Sequence, residues 1–145
     1  MKRVAMLFAT LVLFAMTGST FAQDTKPYRE GAVREVNFVK IKPGQFNNYM
    51  KYLDGPYKAS MEAARKAGLI TEYSVYQSRP RSPADADLIL TVTYPNMAAL
   101  DRTDEADAVR AKVMGSLEAQ DKAMMDRGSM RELIGSQLIR ELVLK

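Results

Sequence analysis

The chain has no cysteine, no histidine and no tryptophan among its 145 residues. Without cysteine there is no disulfide, so stability has to come from packing, and no thioether-linked lipid anchor can form. Without histidine there is no serine–histidine triad, no histidine-bound haem and none of the usual zinc sites. Any chemistry has to use Tyr, Asp, Glu, Lys, Arg or Asn. No metal and no cofactor is expected.

Charge excludes less, but it is informative. Lys2 and Arg3 precede an apolar run from Val4 to about Met16, and small residues from Thr17 lead to Ala22 and polar Gln23-Asp24. This is the layout of a secretory signal peptide, with Thr20 and Ala22 in the two small-residue slots before the cut. The run is shorter than the roughly 20 apolar residues a spanning helix needs. Residues 1–22 are therefore expected to be removed, leaving a periplasmic or secreted chain with no membrane insertion. Cleavage leaves 19 of the 21 basic residues against 17 acidic ones. That mixed surface does not suggest a nucleic-acid binder, and Arg79 and Arg81 read as solvated loop charges.

The remainder suits one domain of the common size, about 100–150 residues. Residues 23–32 read as a loose polar arm. Val33–Ile41 is rich in β-branched residues and reads as a strand, ended by Lys42-Pro43-Gly44. From Gln45 to Ala67, Phe46, Tyr49, Met50, Leu53, Tyr57, Met61 and Ala64 recur at spacings of three and four, the mark of a helix stripe. Asp54-Gly55-Pro56 interrupts it, because proline lacks the backbone donor and clashes with the preceding turn. Ile70–Gln77 reads as a strand. Leu88–Tyr94 is another, with Leu88, Leu90, Val92 and Tyr94 on one face and Ile89, Thr91 and Thr93 on the other. Asn96 can cap a short helix over Met97–Asp101. A long helix is expected from Asp104 to Arg131, and a last strand over Gln137–Leu144.

This order predicts an α+β fold for residues 33–145: a ferredoxin-like βαββαβ domain with a four-stranded antiparallel sheet and both helices on one face. The strands also carry apolar residues for the second face, among them Val36, Phe38, Ile89, Ile139 and Val143. No chain remains to cover them. A twofold homodimer is the simplest cover.

The stretch FVKIKPGQFNNYMKYL (Phe38 to Leu53) resembles the strand, K-x-K-P-G turn and helix that open members of the dimeric α+β barrel superfamily. DLILTVTYPNMAALD (Asp87 to Asp101) and the terminal ELIGSQLIRELVL resemble a group of small exported bacterial proteins. The resemblance covers nearly all of the mature region. It implies a homodimer and admits haem-degrading monooxygenases, cofactor-free oxygenases of aromatic substrates, and members without an assigned activity. The haem degraders typically use a histidine ligand, which this chain lacks.

Candidate sites divide between ligand and packing roles. Asn37, Tyr49, Tyr73, Tyr76 and Tyr94 could line a pocket for an apolar or aromatic small-molecule ligand, with phenol hydroxyls orienting it. Core packing uses the same residue types. Asp101, Asp104, Glu105 and Asp107 lack the alternating calcium-loop pattern and fit the positive end of a helix dipole. Met114, Met124, Met125 and Met130 read as packing rather than as a copper site. Arg127 and Arg131, with Glu132, read as surface charge pairing, and Asp85 and Asp87 as loop polarity. Three functions fit: a ligand-binding protein, a cofactor-independent monooxygenase or isomerase using Tyr73, Tyr94 and Asn37, and an envelope protein-interaction module.

Overall fold

The computed structural model describes residues 26–145; the signal-peptide reading and the cut after Ala22 lie outside the described residues. The elements are β1 (Tyr28–Ile41), α1 (Phe46–Tyr52), a π-helical turn (Leu53–Tyr57), α2 (Lys58–Lys66), β2 (Glu72–Gln77), β3 (Leu88–Tyr94), a 3-10 turn (Met97–Asp101), α3 (Thr103–Met114), α4 (Leu117–Met130) and β4 (Arg131–Leu144). The four strands pair antiparallel in the order β2-β3-β1-β4. This is the expected ferredoxin-like α+β domain.

Gly44, with a φ of 76°, turns the chain from β1 toward α1. Glycine takes this left-handed geometry without the Cβ clash other residues meet. Asp87 then locks the end of β1 to the start of β3. Its two carboxylate oxygens accept from the Ile41 N–H at 2.8 Å and from Lys40 Nζ at 3.2 Å. Asp85 accepts from the Arg81 and Ser82 N–H groups and closes its own loop. Both aspartates are structural ties rather than mere loop polarity. Asn96 caps the 3-10 turn through the Ala99 N–H, as its position suggested.

The core lies on one face of the sheet. One cluster joins Val39, Leu88 and Leu90 to Tyr49 and Leu53; a second joins Val92 to Leu69 and Ile70. Helix residues Met50, Met61, Ala64 and Val109 pack against these clusters. The opposite-face residues Val36, Phe38 and Ile89 belong to neither cluster and are only half-buried. Ile139, on β4, is 48% exposed.

Three boundaries differ from expectation. β1 starts at Tyr28, so the expected arm 23–32 is strand from residue 28 onward. Tyr28, Arg29 and Glu30 pair with Leu144, Val143 and Leu142, and this cross-strand partner fixes their conformation. β4 starts at Arg131, not Gln137. A register shift between Phe38/Gly135 and Val39/Leu133 leaves Ile134 extra, which breaks the period-two pattern there. The long helix is two helices, because Gly115 takes φ 82° and ψ −144° and Ser116 caps α4 through the Ala119 N–H.

Candidate functional site

A cavity of about 440 Å³ lies between the sheet and the helices. Alternation along β1 turns Glu35, Asn37 and Val39 into it, and β3 supplies Leu90, Val92 and Tyr94. Tyr49 and Tyr52 enter from α1, Met61 from α2, Val109 and Arg110 from α3, and Arg127 from α4. Arg131, the first residue of β4, lines it as well. Apolar wall residues and convergent polar side chains line it together, a combination that suits a small-molecule site.

The π-helical turn shapes one wall. Pro56 stands inside it and has no N–H to give, so the chain takes a wider turn where an α-helix would break its ladder. Tyr57 ends that turn and lines the cavity. Its hydroxyl oxygen is buried without a hydrogen-bond partner in the protein. Burial, with neighbouring Tyr49 second, pushes the phenol far above its ordinary pKa. Among the described residues, the other buried side-chain polar atom without a partner is Arg131 Nε. Buried donors almost always find partners, so two orphans in one cavity mark where a bound molecule could supply them.

The remaining polar groups are ordered. Glu35 accepts from Asn37 Nδ2 at 2.8 Å on one oxygen and from the Tyr94 hydroxyl at 3.3 Å on the other. Burial and then Glu35 raise the Tyr94 pKa, which keeps the phenol a donor. Tyr49, 1% exposed, stacks on Tyr52 with ring centroids 5.7 Å apart. Burial raises the Tyr49 pKa, and the adjacent Arg131 guanidinium partly offsets this. Arg127 Nη1 donates to the Tyr52 hydroxyl at 3.4 Å.

Of the five expected site residues, Asn37, Tyr49 and Tyr94 line the cavity together. Tyr73 does not: its ring packs edge-on to Tyr57 and its hydroxyl donates to Glu62 at 2.7 Å. Tyr76 is 50% exposed and points to the opposite face of the sheet, as alternation from Tyr73 and Val75 requires. The structure adds Glu35, Tyr52, Tyr57, Arg127 and Arg131. The two arginines do not form the surface charge pairs expected of them; no carboxylate lies within ion-pair distance of either among the described residues. In the acidic cluster, Glu105 pairs with Arg102 and Asp107 with Arg110. No group of three or more acids forms a metal site among the described residues.

No family model and no curated protein matches the sequence. Solved structures do. HapK from Hahella chejuensis is similar over 75% of this chain and 91% of its own, with a TM-score of 0.50 and 8% identity. A dimeric ferredoxin-like protein from an uncultured marine organism matches 81% of this chain and 98% of its own, at a TM-score of 0.51 and 9% identity. A second such protein matches over 81% and 90%, at a TM-score of 0.50 and 8% identity. At these identities the likeness concerns the fold alone: the chain is built on the ferredoxin-like fold found in dimeric proteins of this kind.

Proposed function

We propose that this protein is an exported homodimer that binds a small apolar or aromatic ligand in the cavity between its sheet and helices. The observation that carries the reading is the pairing of that cavity with two buried, unpartnered polar atoms, Tyr57 Oη and Arg131 Nε. A cavity filled only by the protein's own side chains would have no reason to leave them unmatched.

Export rests on the leader-like first 22 residues. The dimer rests on β4 and the open sheet face. Leu133, Leu138, Ile139, Leu142 and Leu144 are all exposed along this edge strand. An apolar edge with unpaired backbone groups favours association with another chain. The two similar marine proteins are dimeric ferredoxin-like proteins.

N-phenyl-1-naphthylamine, an uncharged dye that fluoresces in apolar sites, tests the cavity. Saturable binding that is lost in Leu90→Trp, with the far-ultraviolet circular dichroism unchanged, is expected. Absent or unsaturable binding, or binding indifferent to the filled cavity, would overturn the reading.

A further inference from the structure

We infer that the ligand is a singly charged organic acid, an aromatic or apolar body whose oxyanion is held at the Arg127–Arg131 end of the cavity. This rests on the ligand-binding reading above.

Arg127 sits in the last turn of α4 and Arg131 opens β4, four residues on. Both reach the same cavity. Both are half-buried, and Arg131 Nε is fully buried; a guanidinium cannot shed its proton in a protein, so without a counter-ion each leaves an uncompensated charge. Arg110, the third lining arginine, is already matched by Asp107 at 2.7 Å. The lining's one carboxylate, Glu35, pairs with neither of the other two, and it stands far from Arg131. Arg131 lies opposite Ile41 in the ladder, six residues along β1 from Glu35. At ~3.3 Å per residue that is about 20 Å between backbones. Glu35 offsets one of these charges only in the balance of the whole lining, so the lining carries a single excess positive charge, concentrated at the arginine end, which one monoanion would neutralise.

The neighbouring phenols suit the same guest. Tyr52 accepts from Arg127, which leaves its own hydrogen free to donate. Tyr49 has the Arg131 guanidinium beside its hydroxyl. Charge-assisted bonds from guanidinium groups to an oxyanion are the strong class, and a planar fork matches a planar carboxylate. Val39 and Leu90 offer apolar wall to the rest of the molecule. At its far end, Glu35 can accept a hydrogen bond from a hydroxyl substituent.

Calorimetric titration of the purified protein with 2-naphthoate and with 2-naphthamide separates charge from shape. The acid is expected to bind about tenfold or more tighter than the amide. In Arg131→Met that ratio is expected to fall toward one, and Arg127→Met should reduce it too. Equal affinities in the unmodified protein, or a ratio untouched by both variants, would overturn the anion preference and leave the cavity reading standing. Binding of neither probe would overturn both. The acid-to-amide comparison needs no variant, so a misfolded mutant does not blunt the test.

Discussion

Tyr57 and Tyr73 meet edge to face, with ring centroids 6.1 Å apart and planes at 80°, yet their hydroxyls have opposite fates. The Tyr73 hydroxyl donates to Glu62, whereas the Tyr57 oxygen is buried with no partner. The pair marks the boundary between what packs the helices onto the sheet and what faces the cavity.

Phenylalanine at the two positions should therefore act in opposite directions. Tyr57→Phe removes an unsatisfied buried hydroxyl and is expected to raise the stability of the ligand-free protein by about 1 kcal/mol. Tyr73→Phe breaks a made bond and should lower it. Urea unfolding monitored by circular dichroism reads both signs, and Tyr57→Phe should weaken ligand binding while it stabilises the fold.

The same bond sets an acid-side pH dependence. The Tyr73 hydroxyl, with Arg65 also favouring the charged form, holds the Glu62 carboxyl below its ordinary pKa. A carboxyl lowered in the folded state contributes stability that is full above the ordinary glutamate pKa. That contribution disappears as pH falls through the lowered value. A carbon-13 titration of Glu62 should show the depressed midpoint in the unmodified protein and a higher one in Tyr73→Phe.

On the alkaline side the sign reverses. Burial first of all raises the phenols of Tyr49, Tyr57 and Tyr94 above the ordinary tyrosine value, and the Glu62 bond raises Tyr73. Their contribution is full below the ordinary pKa and is lost as pH rises toward the raised ones. An ultraviolet difference titration of the seven tyrosines should show these four ionising late, or only together with unfolding.

Gly115 separates α3 from α4 in backbone geometry open essentially to glycine alone. A Cβ there would meet only Ala119 Cβ at 3.9 Å, so the cost of Gly115→Ala is conformational and not steric crowding. A loss of about 1–3 kcal/mol is expected in urea unfolding.

Ile139→Lys places a charge on the open face of β4 without touching either core cluster. Sedimentation velocity should report a dimer for the unmodified protein and a monomer of unchanged circular dichroism for the variant. A dimer of the same strength in both would remove this face from the interface.

Much of this architecture was legible in local patterns. The alternation of Leu88–Tyr94 specified β3 residue by residue, Pro43-Gly44 ended β1, and Asp54-Gly55-Pro56 marked the site of the π-helical turn. Gly115-Ser116 is a readable breaker and cap, although apolar spacing continues on both sides of it. The first residues of β1 and of β4 were not legible. Neither segment alternates cleanly; the first residues of β1 become strand against the end of β4, and those of β4 against the end of β1.

The candidate site divides along the same line. Asn37, Tyr49 and Tyr94 were recognisable as inward-facing because their own strand or helix dictates where they point. Tyr76 lies outside the cavity because a strand sends Tyr73 and Tyr76 to opposite faces. Arg127 and Arg131 carry no local signal, since a charged residue at a helix end or strand start is ordinarily solvated, whereas Glu35 shares the inward face of Asn37 by strand alternation. Local backbone periodicity, which a sequence encodes directly, determined the elements and their order. Only tertiary packing decided which charges meet in the cavity, because that depends on strands and helices brought together from distant parts of the chain.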